Sequence, residues 1–282
     1  MVNLVESIHN IDSKDGQYKS MSIVLDGVAK VIQSHIKCLK SAKEKSSDKG
    51  GKKHSDAVCE FLTEFLAYMA SNKECSILQK NYKVEVNSMF NEENFFLLHE
   101  RMLRHWQTIM DHFIGKGEND VFEEQLLKFN KMEGFFFNRN DVFSRNSLTF
   151  KRLAFLVFSA RTADFQEDQL DGLLRKMTEG FKNQEKDENM KKQLFLLSRI
   201  LMLRLKASQL EDALRKLWPH LLNELVNVFD TYKATKEPNR ETISLANQAI
   251  LIIELMSQLN IEDFLIDQWM FLFDGYGIEY TK

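Results

Sequence analysis

A chain of 282 residues with 44% apolar side chains can bury one large core or two ordinary ones, which excludes a disordered tail. Only 2 prolines and 11 glycines stand against abundant Leu, Lys, Glu, Met and Gln, and this favours long helices over sheets because straight-chain residues lose little rotamer freedom in a helix. A formal net charge of -3 gives no general field for a nucleic-acid backbone, so no nucleic-acid partner is expected.

The 22 phenylalanines supply large anchors for a helical core. Cys38, Cys59 and Cys75 are odd in number and widely spaced, which suits neither a disulfide framework nor a zinc site and points to a reducing cytosolic compartment. The amino terminus lacks a basic segment followed by an apolar core, and no run approaches the roughly 18 apolar residues of a membrane span. Any work at a membrane is therefore expected to be peripheral.

In chain order, Ile23, Val24, Val28, Val31, Ile32 and Ile36 recur at helical spacing and predict a helix from Met21 to about Lys40. Residues 41–54 lose every large apolar side chain and gain Ser, Gly and Lys, the composition of a flexible loop. From Lys37 to Lys53 seven lysines stand against Glu44 and Asp48, a local net of +5. Such a run reads first as a solvated loop. Its functional reading is contact of Lys43, Lys45, Lys49, Lys52 and Lys53 with an anionic lipid surface.

Val58, Phe61, Leu62, Phe65, Leu66 and Met69 predict an amphipathic helix after Ser55. A further helix is predicted to start at Asn91 as N-cap, carry Phe95, Leu98, Met102, Trp106, Ile109, Met110 and Phe113, and stop at Gly115 and Gly117. His99, His105 and His112 lie on it beside Asp111. Only His105 and His112 share a face, seven apart, whereas metalloprotease-type helical ligands lie four apart with a glutamate between them, so no metal and no cofactor is expected.

Asp120 to Phe129 reads as an amphipathic helix, Phe135 to Phe137 as an apolar connector and Asn138 to Asn146 as a loop. Leu148 to Phe158 is apolar almost all round, with Lys151 and Arg152 expected at its solvated start. Gln166 to Phe181 carries a single apolar stripe, Met190 to Leu205 is apolar almost all round, Leu210 to Phe229 is amphipathic, and Asn247 to Leu259 is mostly apolar. Alternating buried and half-exposed helices is what stacked helical hairpins require. The expected fold is all-α, a HEAT- or armadillo-like α-solenoid, with an irregular helical bundle as the alternative.

Trp218 and Pro219 read as a helix start or kink with a packed indole, partner contact being the other use of the tryptophan. Trp269, Phe271 and Phe273 alternate with Met270 and Leu272; if left uncovered they would form a docking patch. No glycine-rich phosphate loop, nucleophile elbow or kinase-like set occurs, so no catalysis is expected.

Four blocks occur in order: WQTIMDHFIGKG (106–117), FKRLAFLVFSA (150–160), LSRILMLRLKASQLEDALRKLWPHLLNELVNVF (197–229) and DQWMFLFD (267–274). Together they resemble the carboxy-terminal region of the Dopey family, from roughly Asn94 to the end. The resemblance divides the chain into amino-terminal helices over 1–90 and a Dopey-like helical repeat region over 91–282. It implies a non-catalytic scaffold of membrane traffic, cytoplasmic and peripheral on Golgi and endosomal membranes, supporting endosome-to-Golgi and Golgi protein transport. The implied partners are a large Arf-exchange-factor-related scaffold and an aminophospholipid flippase. Family members are several times longer, so a fragment, a short paralogue or a partial gene model is expected.

Overall fold

The computed structural model describes residues 14–44, 49–71, 82–114, 120–130, 139–161, 165, 167–182, 187–259 and 261–267. These are 89% helical, with 11 α-helices and no strand among them, as the composition predicts. The helices pack on chain neighbours and next-but-one neighbours, and the chain divides into two compact units.

The first unit comprises residues 1–121 and 159–161. It holds α1 (Lys14–Glu44), α2 (Lys49–Ser71), α3 (Lys83–Phe90), a 3-10 turn (Phe95–Leu97) and α4 (Glu100–Phe113). Helix α2 packs most extensively on α4, and α1 touches α2, α3 and the 3-10 turn. The Phe95 ring sits edge-on to Phe90, with centroids 5.0 Å apart, and to Trp106, 5.1 Å apart. All three side chains are fully buried.

That aromatic cluster explains one departure from expectation. Asn91 does not start a helix; it ends α3, its amide donating to the Asn87 carbonyl at 3.0 Å. The chain then turns so that Phe95 can enter the core between α3 and α4, and burial of that ring overrides the local helix signal. Helix α4 begins at Glu100 with His99 as its N-cap, Nδ1 accepting from the Arg101 amide.

The expected flexible loop over 41–54 is also corrected. Helix α1 continues to Glu44 and α2 begins at Lys49, with residues 45–48 outside the described set. Lys, Ala and Glu are good helix formers, and the lack of large apolar residues reports a helix with little to bury rather than the absence of one.

The second unit comprises residues 122–158 and 162–282. Its helices are α5 (Val121–Asn130), α6 (Arg139–Ser159), α7 (Glu167–Lys182), α8 (Glu188–Arg204), α9 (Ala207–Ala234), α10 (Arg240–Leu259) and α11 (Glu262–Asp267). Pairs α8–α10, α7–α9, α9–α10 and α7–α8 pack together. Asp187 caps α8, accepting from the Asn189 and Met190 amides at 3.0 and 3.2 Å.

Three local expectations change here. Helix α6 starts at Arg139, so most of the loop predicted over 138–146 is helical; Ser144 and Arg145 are exposed, and polar residues at that end of a helix look like a loop in sequence. Lys151 and Arg152 consequently lie in the helix interior, Arg152 buried, and burial lowers the Lys151 ammonium pKa. Helix α9 runs through Pro219 rather than starting there. Pro219 is on the exposed side, where water can satisfy the Arg215 carbonyl that the missing N–H leaves free.

Helix α10, contrary to the expectation that no run reaches span length, is long and apolar enough by length and composition to cross a membrane. Core helices pass the same test, and Leu245, Ala246, Ala249, Ile252 and Met256 are indeed buried.

On α9, Glu224 is buried with Oε1 2.6 Å from Lys191 Nζ of α8, whose side chain is 21% exposed. Glu224→Ala strands that ammonium and is expected to cost about 2 kcal/mol, less than for a fully sealed pair because Lys191 keeps some water. Urea unfolding followed by circular dichroism checks this; a loss under about 0.5 kcal/mol contradicts it, since that is the scale of an exposed pair.

Candidate functional site

Among the described residues no group of three or more His, Cys, Asp or Glu is placed to hold a metal ion. His99 is used as a helix cap, and His112 stacks edge-on against Phe113 at 5.3 Å. An open groove of 390 Å³ between α1 and α3 is lined by Asp26, Lys30, Gln33, Val84, Glu85 and Ser88 among others. Its polar groups mainly join the two helices: Tyr82 Oη donates to Asp26 Oδ1 at 3.1 Å, and Gln33 Nε2 donates to Ser88 Oγ at 3.1 Å. It presents charges of both signs and no nucleophile–base pair.

The outer face of α2 is more informative. Phe65, Leu66 and Met69 point into the first unit, while Val58 and Tyr68 are exposed and Phe61 is 54% exposed. The sequence pattern had placed Val58 and Phe61 with the core, but the six apolar positions span more arc than the helices packed on α2 cover. An exposed phenylalanine and tyrosine two turns apart on one helix form an aromatic stripe of the kind that anchors interfaces.

The remaining sequence candidates separate. Lys43 lies in the last turn of α1 and Lys52 near the start of α2, while Lys45 is outside the described residues. Trp218 is only 8% exposed, and its Nε1 donates to Asp267 Oδ2 at 2.9 Å while its ring meets Phe264 edge-on at 6.3 Å. It therefore fastens α11 to α9, which is the packed use of this residue. Trp269, Phe271 and Phe273 lie outside the described residues. The Trp218–Asp267 link joins positions 49 apart and had no local signal in the sequence.

Cysteine chemistry is divided in the same unit. Burial, helped by Asp56, pushes the Cys59 thiol up to about 11, so it stays protonated and unreactive, whereas Cys38 is exposed. Brief maleimide treatment at pH 7.5 is expected to label Cys38 and spare Cys59, read by peptide mass spectrometry. Equal labelling of both in the folded chain contradicts the burial of Cys59.

The family model described as DOP1 C-terminal matches residues 15–282. The chain is 25% identical over 189 residues to the Protein DOP1 homolog of Drosophila pseudoobscura pseudoobscura, covering 63% of this chain and 7% of that protein. The Protein DOP1 homolog of Drosophila melanogaster gives the same identity and coverage. Protein DOP1B of Xenopus laevis is 22% identical over 229 residues, 81% of this chain and 9% of that protein. The chain thus spans a small part of these relatives' length. No solved structure matches. The family match reaches back to residue 15 and so takes in α1 to α3, which the resemblance in sequence blocks had left outside.

Proposed function

The chain belongs to the DOP1 C-terminal family, and from that premise we propose that it is a non-catalytic scaffold module of intracellular membrane traffic. In this reading it serves endosome-to-Golgi and Golgi protein transport, on the cytoplasmic face of Golgi and endosomal membranes. Its partners are a large Arf-exchange-factor-related scaffold and an aminophospholipid flippase. The observation that carries a binding role is the outward stripe of Phe61 and Tyr68 on α2, which leaves aromatic area in water beside a well-buried helix face. Affinity capture from source cells with this chain as bait, quantified by mass spectrometry, is expected to recover one or both partners above a control helical bait. Recovery of neither overturns the partner reading for this region.

The net of +5 from Lys37 to Lys53 favours a second reading, peripheral contact with an anionic lipid surface. A lysine near such a surface contributes up to about 1 kcal/mol, so Lys49→Gln with Lys53→Gln is expected to weaken binding to phosphatidylserine vesicles by up to about thirtyfold. Unchanged co-sedimentation of that variant rules out this use of α2.

A further inference from the structure

The groove between α1 and α3 is rich in unused acceptors. Asp26 takes one hydrogen bond, from Tyr82 Oη to Oδ1 at 3.1 Å, which leaves Oδ2 unused. Gln33 spends both hydrogens of its Nε2 on Ser88 Oγ at 3.1 Å and Glu92 Oε1 at 3.2 Å, so its carbonyl oxygen remains able to accept. Glu85 Oε2 is sealed from water with neither a hydrogen-bond partner nor an ion pair among the described residues. A carboxylate oxygen in that state has lost its hydration and gained nothing in return. Lys30 also lines the groove and pairs with neither carboxylate, so Asp26 and Glu85 set two negative charges against one positive.

We propose that this groove receives an arginine side chain of a partner protein, its guanidinium between Asp26 and Glu85. A guanidinium carries five N–H donors in a planar fork and no acceptor, which suits a site offering two carboxylates and an amide oxygen. It is also more weakly hydrated than an ammonium, so it gives up less on entering a partly enclosed groove that already holds Lys30. The aliphatic stem would lie on Ala29 and Met89, both buried in the groove wall. At 390 Å³ the space suits one long side chain and its backbone. Val84 lines the same groove and is 76% exposed, apolar area that an aliphatic neighbour of the arginine would cover and a free polyamine could not use.

The test is a titration of the isotope-labelled full chain with acetyl-Leu-Arg-Leu-amide at low ionic strength, read by nuclear magnetic resonance at the amides of Ala29, Gln33 and Ser88. Saturable shifts at these positions are expected, with none from the peptide in which citrulline, a neutral isostere, replaces arginine. Glu85→Gln, and separately Asp26→Asn, should weaken the binding at least about tenfold while circular dichroism stays the same, and Glu64→Gln on the exposed side of α2 should leave it unchanged. Equal shifts from the arginine and citrulline peptides, full binding by both groove variants, or no shift at all would overturn the proposal. Spermidine binding as tightly as the peptide would assign the groove to a free polyamine and overturn the protein partner.

Discussion

Trp106→Ala is expected to destabilise the first unit by about 4 kcal/mol, within the range for removing a fully buried large aromatic. The indole is 0% exposed and stands edge-on to Phe95, which in turn meets Phe90, so truncation empties the centre of a cluster contributed by α3, the 3-10 turn and α4. Both the lost transfer free energy and the residual cavity count, because three packed rings cannot all collapse into the space. The indole Nε1 finds no acceptor among the described residues, so Trp106→Phe forfeits no hydrogen bond there and is expected to cost far less than the alanine. Urea titrations of both variants check this. A loss below about 1.5 kcal/mol for the alanine, or equal losses for the two, contradicts the packing described.

Gly180→Leu is expected to cost about 3 kcal/mol in the second unit. A Cβ at Gly180 would lie 3.1 Å from Leu194 Cδ1 and 3.2 Å from the Phe150 ring, so even a methyl group obliges those side chains to give by a few tenths of an ångström, and a leucine asks for far more room. A leucine must displace Leu194, itself fully buried, with few free rotamers left to it. Gly172, on the same helix, is the internal control: a Cβ there meets only Leu126 Cδ1 at 3.4 Å, and Gly172→Ala is expected to be neutral or stabilising by up to about 1 kcal/mol through helix propensity. Thermal unfolding of the two variants should therefore move in opposite directions or leave Gly172→Ala unchanged. A stable Gly180→Leu would mean that the α7–α8 approach is looser than described.

The helical class was legible because apolar residues recur every three to four positions along most of the chain, and that period survives any detail of tertiary contact. Boundaries were less legible, for identifiable reasons. Asn91 and His99 are both able to cap a helix, and what selects His99 is the burial of Phe95, a contact between elements that no local pattern carries. The stretch from Ser41 to His54 looks like a loop because sequence patterns find helices by their apolar stripe, and a helix with little to bury has none.

The candidate surface was half visible. Val58 and Phe61 were seen as apolar and assigned inward with Phe65, Leu66 and Met69, but which part of a broad apolar arc is covered depends on where α4 lies. Trp218 was recognised as a packed indole, while its acceptor Asp267 had to come from the fold. The lysines were conspicuous as a charge cluster.

The most direct measurement of the scaffold reading is quantitative capture of the Arf-exchange-factor-related partner by three full-length forms of this chain: unaltered, Phe61→Glu with Tyr68→Glu, and Leu127→Glu. Leu127 is as exposed as Phe61 but lies on α5, so it controls for the mere addition of charge at an apolar surface position. The account predicts at least a tenfold loss of partner with the α2 double variant and none with Leu127→Glu, each variant keeping its helical circular dichroism. Equal capture by all three forms would contradict it and remove the α2 stripe from the binding surface.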